Sequence, residues 1–143
     1  MKRIFVTVVV LTLAGCGLTR NTPAALDTSG KESCAFCRMA IVDQRTAAQL
    51  VAPGEEPRFF DDLGCLRSYL ATTKLPWKAV IYVADHRTKA WVPLSQAVYA
   101  RQPALETPMG SQLIAHASSS SRAADDAARG ATPLSAADIF KAN

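Results

Sequence analysis

Short apolar segments, each bounded by turn residues, precede a helix in both halves of this chain, and that repetition limits the folds open to it. The predicted strands are residues 39–43, 47–52, 58–60, 78–85, 90–94, 97–100 and 112–117. Three helices are predicted, the first ending near residue 71 and the others covering 122–129 and 135–141. This order predicts an α+β fold of two related small units. Units of about 45–60 residues bury too little surface to be stable alone, so we expect them to pack together.

Capping and turn residues set the ends of these elements. Asp61 or Asp62 caps the first helix, because an aspartate side chain accepts hydrogen bonds from the first free N–H groups. Pro93 lacks a donor and therefore restricts its strand to a sheet edge. Thr132 or Ser135 opens the last helix.

Composition excludes several classes of protein. Of the 143 residues, 49% are apolar and 20% are charged, which supports a packed core and argues against general disorder. The net charge is +4, and it falls to +2 without Lys2 and Arg3, so nucleic acid is not a predicted partner. The sequence has no apolar run of 18 or more residues, which excludes a multi-pass membrane protein.

The amino terminus has the pattern of a lipoprotein signal. Two basic residues precede an apolar stretch of 11 residues, 4–14, which is too short to span a bilayer. The stretch ends in Leu-Ala-Gly-Cys16, which resembles a bacterial lipobox, so an acylated Cys16 would anchor the mature chain to a lipid bilayer. The alternative is an ordinary secretory signal with a chance cysteine. Gly17 favours the outer membrane over the inner one, by analogy with enteric sorting.

The chain then divides into four segments. Residues 17–31 are polar and lack periodicity, so they predict a flexible tether with a reach of about 20 Å. Pro76 marks the boundary between the two folded units. The predicted segments are a signal peptide 1–15, a tether 16–31, a first unit 32–75 and a second unit 76–143.

Three cysteines remain after Cys16, and three thiols cannot all pair. In Cys34-Ala-Phe-Cys37-Arg-Met39, two thiols and a thioether can converge if the backbone turns. Thiolates and thioethers are soft donors that suit Cu(I), whereas a structural zinc site needs four nitrogen or sulfur ligands. The alternative is a Cys34–Cys37 disulfide with Met39 in the core. The third cysteine, Cys65, lies off the leucine stripe of the first helix and is interpreted as a buried, inert thiol.

A second thioether and two histidines complete the candidate donors. Met109 stands between Pro108 and Gly110, which predicts a turn where burial is not required. Met109 could therefore meet the cysteine motif across a cleft, or it could fill a gap in the core. His116 lies in an apolar run and is either a half-buried core residue or an added nitrogen donor. His86 lies on a predicted turn and is expected to be solvated.

In combination these motifs resemble NosL, the lipoprotein accessory factor of nitrous oxide reductase. The resemblance covers roughly residues 34–117 in the same order, together with the lipobox. The residues that carry it are Cys16, Cys34-x-x-Cys37-x-Met39, Phe59-Phe60-Asp61-Asp62-x-x-Cys65-Leu66 and Pro108-Met109-Gly110. It implies a fold of two similar ββαβ-type units. It also implies a periplasmic copper chaperone for the copper–sulfide centre, working beside an ABC-type assembly machine of the inner membrane.

The resemblance also implies a ligand set. Cys37, Met39 and Met109 are the implied Cu(I) ligands, and Cys34 matches the first cysteine of the motif. Two positions depart from the family pattern. Arg38 stands where the family often has glycine, and His116 stands where an apolar or aromatic residue is usual. If the turn requires a positive φ at residue 38, arginine meets a steric restriction there that glycine does not.

The sequence therefore predicts a metallochaperone and not an enzyme, because no acid/base pair, nucleophile–base constellation or phosphate loop is visible in it. Its cargo would be one Cu(I) ion and its partner apo nitrous oxide reductase. Two alternatives stay open. One is a thiol–disulfide oxidoreductase using Cys34 and Cys37, although that chemistry usually places CxxC at a helix N-terminus. The other is a binding module with a structural zinc site.

Overall fold

The structure is a computed structural model that describes residues 22–140. These residues form seven strands and three α-helices, with 3₁₀ turns at Gln44–Thr46 and Asp126–Ala128. The strands are β1 Ala48–Val51, β2 Arg58–Phe60, β3 Val80–Ala84, β4 Trp91–Pro93, β5 Val98–Arg101, β6 Leu113–His116 and β7 Thr132–Leu134. The helices are α1 Leu63–Thr72, α2 Ser119–Ala123 and α3 Ala136–Ile139.

The strands form two antiparallel sheets with the same underlying topology. The first sheet has the order β2-β1-β3-β4, and the second has the order β6-β5-β7. In both, two consecutive strands pair, a helix follows, and the next strand returns to the other side of the first strand. β4 is an additional strand at the edge of the first sheet. Pro93 has no N–H to donate, and an edge strand tolerates this because no further strand pairs on its outer side. The α+β fold of two related ββαβ-type units is thus confirmed.

One large apolar cluster joins the two units. The central strand β1 is buried along its whole length, including Gln49, whose side-chain amide is paired with the Leu26 backbone. Leucines on one side of α1 and residues from both sheets pack into the same cluster. Its largest members are Leu50, Phe60, Leu63, Leu66, Val83, Tyr99, Leu113 and Ile139. Each unit is too small to bury enough apolar surface alone, and the shared core makes up for this.

The boundary between the units differs from the predicted one at residue 76. Strands β3 and β4 follow Pro76 but belong to the first sheet, and the chain changes sheet only between Pro93 and Val98. Antiparallel pairing of β3 with β1 explains the shift, because Ala48 faces Val83 and Val51 faces Val80 in that ladder. The second unit is therefore the shorter stretch that begins with β5.

Three local predictions also need correction. Residues 39–43 are not a strand, because Ala40 makes only an isolated bridge to Ser33. The predicted helix 122–129 begins earlier, with Ser118 as its N-cap, and breaks where Asp125 caps a 3₁₀ turn instead. Residues 132–134 form β7, an edge strand whose proline again lacks a donor, and the last helix begins after Ser135.

The amino-terminal predictions fall mostly outside the described residues. The signal peptide 1–15, Cys16 and Gly17 all lie outside the part that the structure describes. Residues 22–31 lack regular structure but contact the first sheet, because Leu26 exchanges two backbone hydrogen bonds with the Gln49 side chain. Within residues 22–140, no helix is long and apolar enough to cross a membrane.

Candidate metal centre

The CxxCxM segment forms a closed turn against the edge of the first sheet. The Cys34 N–H donates to the Met39 carbonyl at 2.8 Å, and the Arg38 N–H donates to the Cys34 carbonyl at 3.0 Å. The neighbouring Ala35 N–H donates to the Phe59 carbonyl of β2 at 2.7 Å. Arg38 has a φ of 69°, so it adopts the left-handed conformation that costs a non-glycine residue about 1–2 kcal/mol. The turn keeps the geometry that glycine would favour, although arginine occupies the position.

The segment between β2 and α1 supplies the opposite side of the site. Asp61 follows β2 directly, and its carbonyl accepts a hydrogen bond from the Thr46 hydroxyl at 2.9 Å. Asp62 is the N-cap of α1, where its Oδ1 accepts the Gly64 N–H at 2.6 Å. This cap fixes the first helical turn and directs Cys65 toward the CxxC turn.

Three thiols and one carboxylate meet between these segments. One potential ligand atom from each of Cys34, Cys37, Asp61 and Cys65 lies within 4.8 Å of the others. Cys34, Cys65 and Asp61 are buried, and Cys37 is half-buried. All three cysteines carry free thiols, so the predicted alternative of a Cys34–Cys37 disulfide is absent from this arrangement.

The carboxylate of Asp61 has spare bonding capacity inside this cluster. Its Oδ2 accepts a hydrogen bond from the Cys37 Sγ at 3.3 Å. Its Oδ1 is buried and has no hydrogen-bond partner among the described residues. An unpaired buried carboxylate oxygen costs roughly 1–3 kcal/mol or more, and a positive ion or a proton in the cluster would reduce that cost.

The surroundings raise the pKa of two of the three thiols, those of Cys37 and Cys65. Burial raises the pKa of Cys37, and the hydrogen bonds to Cys34 and Asp61 raise it further. Burial also raises the pKa of Cys65 far above that of a free thiol, with the Asp61 carboxylate as a second cause. A thiol binds a metal as its thiolate, so a cation entering the cluster displaces these protons.

A loop from the second unit covers the start of α1. The Thr107 hydroxyl and the Met109 N–H both donate to Asp62 Oδ2, at 2.7 and 2.9 Å. Burial alone would raise the pKa of Asp62, but hydrogen bonds including those from Ser111 and Thr107 hold it below its usual range. Gly64 permits the approach, since a Cβ on it would lie 2.8 Å from the Ser111 Cβ. The absence of a side chain at Gly64 therefore lets this loop reach the cysteines.

Met109 and Cys65 share one pocket beside the cluster. The pocket has a volume of about 190 Å³ and is lined by Phe36, Gly64, Cys65, Arg67, Ser68, Met109, Gly110 and Ser111. Met109 is 50% exposed at this pocket, on the turn that its flanking proline and glycine predict. Met39 is 43% exposed on the same segment as the CxxC pair, with its backbone beside Cys34. The two thioethers thus lie at the surface and the three thiols beneath it.

The structure does not bring His116 to the cysteines. His116 lies at the end of β6, fully buried, and its Nε2 is 2.9 Å from Asp125 Oδ2. The same oxygen is 2.7 Å from His86 Nδ1. His86 is only 4% exposed, so the expectation of a solvated turn residue was wrong. Its backbone N–H donates to the Ala115 carbonyl, which pulls the turn against β6 and buries the ring.

Two members of the cluster were not predicted as site residues. Asp61 was interpreted only as a possible helix cap, and Cys65 as an inert thiol. The odd number of thiols was the available signal, because an unpaired cysteine in an oxidising compartment has to be buried or bound. Their convergence depends on the pairing of β2 with β1, which the spacing of residues in the sequence does not reveal.

The fold and this site together define a small α+β protein with a thiol-rich site that could hold a metal ion. The chain belongs to the NosL family, which matches residues 25–142, more than four-fifths of its length. NosL proteins are copper-binding accessory lipoproteins of the periplasm and not known enzymes. No individual curated protein matches the chain.

Proposed function

We propose that this protein is a lipid-anchored periplasmic chaperone that carries one Cu(I) ion to nitrous oxide reductase lacking its copper–sulfide centre. The observation that carries the proposal is the convergence of Cys34, Cys37 and Cys65 within 4.8 Å, beside a pocket that exposes Met109. Thiolate and thioether sulfur are the donors that favour Cu(I) among the biological metals. Membership of a copper-binding family supports the same metal.

The layered arrangement suits a carrier better than a permanent store. Cu(I) would be held by the thiolates of Cys37 and its neighbours, while Met39 and Met109 provide weaker sulfur ligands at the surface. A partner that offers its own ligands could then take the ion through stepwise exchange at the exposed thioethers. Because the pKa values of Cys37 and Cys65 are raised, thiols that regain their protons favour release of the ion.

The oxidoreductase alternative fits the site less well. Catalytic CxxC cysteines have a lowered pKa, usually at a helix N-terminus, whereas Cys37 lies in a turn and its pKa is raised. Zinc is the stronger competitor, because three cysteines and an aspartate can supply four ligands. The test of the proposal therefore has to compare Cu(I) with Zn²⁺.

The test is a titration of the reduced mature protein with Cu(I) in competition with a chromophoric chelator, repeated with Zn²⁺. We expect one Cu(I) per chain, and we expect the thiol cluster to bind Zn²⁺ far more weakly than Cu(I). Cys37→Ser should abolish tight binding, and Met39→Ala or Met109→Ala should weaken it about tenfold, or about 1.4 kcal/mol. Val42→Ala is the matched control, since Val42 is a 90% exposed apolar residue near the motif. Unchanged affinity in both methionine variants, or a preference for Zn²⁺, would refute the proposal.

The partner and the anchor need separate tests. Copper-loaded protein mixed with apo nitrous oxide reductase should transfer its copper, and the Met109→Ala variant should transfer it more slowly. The ABC-type maturation machine of the inner membrane is the second proposed partner, and co-purification with it would support the assignment. Replacing Cys16 by serine should release the protein from the membrane fraction. Fractionation of the two membranes then tests whether Gly17 directs it to the outer one.

A further inference from the structure

Both histidines of the chain lie in one buried cluster that the copper proposal does not use. Three elements bring the cluster together. His86 follows β3, His116 ends β6, and Asp125 precedes the second 3₁₀ turn, where its Oδ1 accepts the Ala127 N–H at 3.0 Å. The cluster therefore joins both sheets to the segment after α2.

Both imidazole rings of this cluster present a nitrogen to the same carboxylate oxygen, Asp125 Oδ2. Asp125 Oδ2 is 2.7 Å from His86 Nδ1 and 2.9 Å from His116 Nε2, and all three ligand atoms lie within 4.8 Å of one another. The side chains of His86, His116 and Asp125 are 4%, 0% and 9% exposed. The imidazole rings stand at 61° to each other, so both nitrogens can face one ion without the rings stacking.

We propose that His86, His116 and Asp125 form a second metal site, which binds a divalent cation of the zinc type and is separate from the thiol cluster. Two imidazoles and a carboxylate are borderline and hard donors, which suit Zn²⁺ and disfavour Cu(I). Three protein ligands leave the fourth position of a tetrahedral ion open. His86 also lines a pocket of about 370 Å³ with Arg45, Glu106 and Thr107, which gives a cation access and leaves room for a water ligand.

The metal-free cluster is a hydrogen-bonded triad that a cation can replace. An ionised carboxylate only accepts hydrogen bonds, so His86 Nδ1 and His116 Nε2 each carry a proton. A cation binds these nitrogens when each proton moves to the other nitrogen of its ring, and no proton is released. Ligands around a tetrahedral zinc ion lie about 3.3 Å apart, so the donors need to separate by roughly 0.5 Å.

The second nitrogen of His116 is available to take up the proton that a cation would displace from Nε2. His116 Nδ1 is buried and has no hydrogen-bond partner among the described residues. Metal-ligating histidines usually have their tautomer fixed by a hydrogen bond at the second nitrogen. Moving the proton to His116 Nδ1 therefore exchanges the hydrogen bond with Asp125 for a bond from Nε2 to the cation, and it breaks no other hydrogen bond of the ring.

The test is a titration of the untagged mature protein with Zn²⁺, followed by NMR of the histidine ring nitrogens. The chain contains two histidines, so every ring signal comes from the proposed site. We expect His86 Nδ1 and His116 Nε2 to lose their N–H character and to shift together as one equivalent of Zn²⁺ binds, whether that is the first or the second equivalent added. This readout is independent of the cysteines, so it stands even if the copper proposal fails. Ring signals unchanged at several equivalents of Zn²⁺ would overturn the second site.

Variants separate metal binding from a purely structural triad. Asp125→Asn keeps an acceptor for one ring but removes the charge, and it should lower the Zn²⁺ affinity at least tenfold while Cu(I) binding is retained. Asp126→Asn is the matched control, because Asp126 is 93% exposed and pairs only with Arg129 among the contacts seen here. Equal zinc affinity in Asp125→Asn and in the unmodified protein would also overturn the proposal.

Discussion

At the scale of single residues, burial decides the protonation of the thiols before any metal arrives. Cys65 lies in the core at 2% exposure, and Cys37 donates a hydrogen bond to the Asp61 carboxylate. Both environments favour the neutral thiol over the thiolate, so the pKa of each cysteine is raised above its usual value of about 8.5. Copper binding is therefore coupled to proton release.

The first prediction is that the Cu(I) affinity increases with pH. Because the pKa values of Cys37 and Cys65 are raised above those of free thiols, each of these thiolate ligands costs one proton near neutral pH. The affinity should rise about tenfold per pH unit for every proton displaced. Chelator competition at several pH values measures this slope, with the chelator calibrated alone at each pH. A pH-independent affinity would mean that the thiols are already ionised.

Residue chemistry could predict only part of the site. The soft donors of the CxxCxM motif and the surface turn of Met109 follow from residue type and spacing. The structure brings Cys34 and Cys37 together with Cys65, and Met109 lines a pocket with Cys65. The roles of Asp61, Cys65 and His86 depend on strand pairing and on a turn folded against β6, which are long-range contacts. Cu(I) ligation by Cys34, Cys37, Met39 or Met109 stays a prediction, whereas His116 lies in a cluster apart from the thiols.

At the scale of elements, the start of α1 and the 107–111 loop form one structural unit around Asp62. The carboxylate caps the helix through Oδ1 and holds the loop through Oδ2, so both sides of the candidate site depend on one side chain. Gly64 sets how closely they approach, because Ser111 occupies the space that a Cβ would need.

The second prediction concerns Gly64→Ala. In an exposed helix this change would stabilise the protein by about 1 kcal/mol, but here the new methyl group would collide with Ser111. We expect no gain in the free energy of unfolding and a several-fold loss of Cu(I) affinity as Met109 moves outward. Urea unfolding and chelator competition measure the two effects. Ser68→Ala, in the same helix and at the same pocket, is the control and should change neither.

Elements marked by apolar periodicity or by capping residues were predicted well, whereas elements that depend on pairing with other segments of the chain were not. Helix α1, strands β1 to β6 and the capping box at Ser135 all have apolar periodicity or capping residues at their ends. Residues 39–43 have β-branched character, but their backbone pairs with the segment before the CxxC turn and ends at a 3₁₀ turn. Strand β7 contains a proline and exists because β5 offers a free edge.

At the scale of the whole molecule, Asp85 ties the two units together. Its Oδ1 accepts the Arg87 and Thr88 N–H groups in the turn after β3. Its Oδ2 accepts the Ala117 N–H and the Ser121 hydroxyl from the second unit, both at 2.7 Å. Burial would raise the pKa of Asp85, but these hydrogen bonds outweigh it and hold the pKa well below its usual range. The charged carboxylate therefore stabilises the packing of one unit on the other.

The third prediction is that Asp85 makes the folded state sensitive to acid. Its pKa is lower in the folded chain than the value of about 3.9 in the unfolded chain, so its contribution is complete above about pH 4 and is lost as the pH falls toward the folded value. Asp85→Asn should lower the free energy of unfolding at neutral pH by about 1–3 kcal/mol, because the amide cannot satisfy all four donors. The variant should also lose less stability than the unmodified protein between about pH 5 and about pH 3.

Urea unfolding at each pH measures both effects, and the difference between the pH dependence of the variant and that of the unmodified protein isolates Asp85 from the other carboxylates. Asp126→Asn, at an exposed position, should leave the slope unchanged. Equal acid sensitivity with and without the Asp85 carboxylate would show that its charge does not help to hold the two units together.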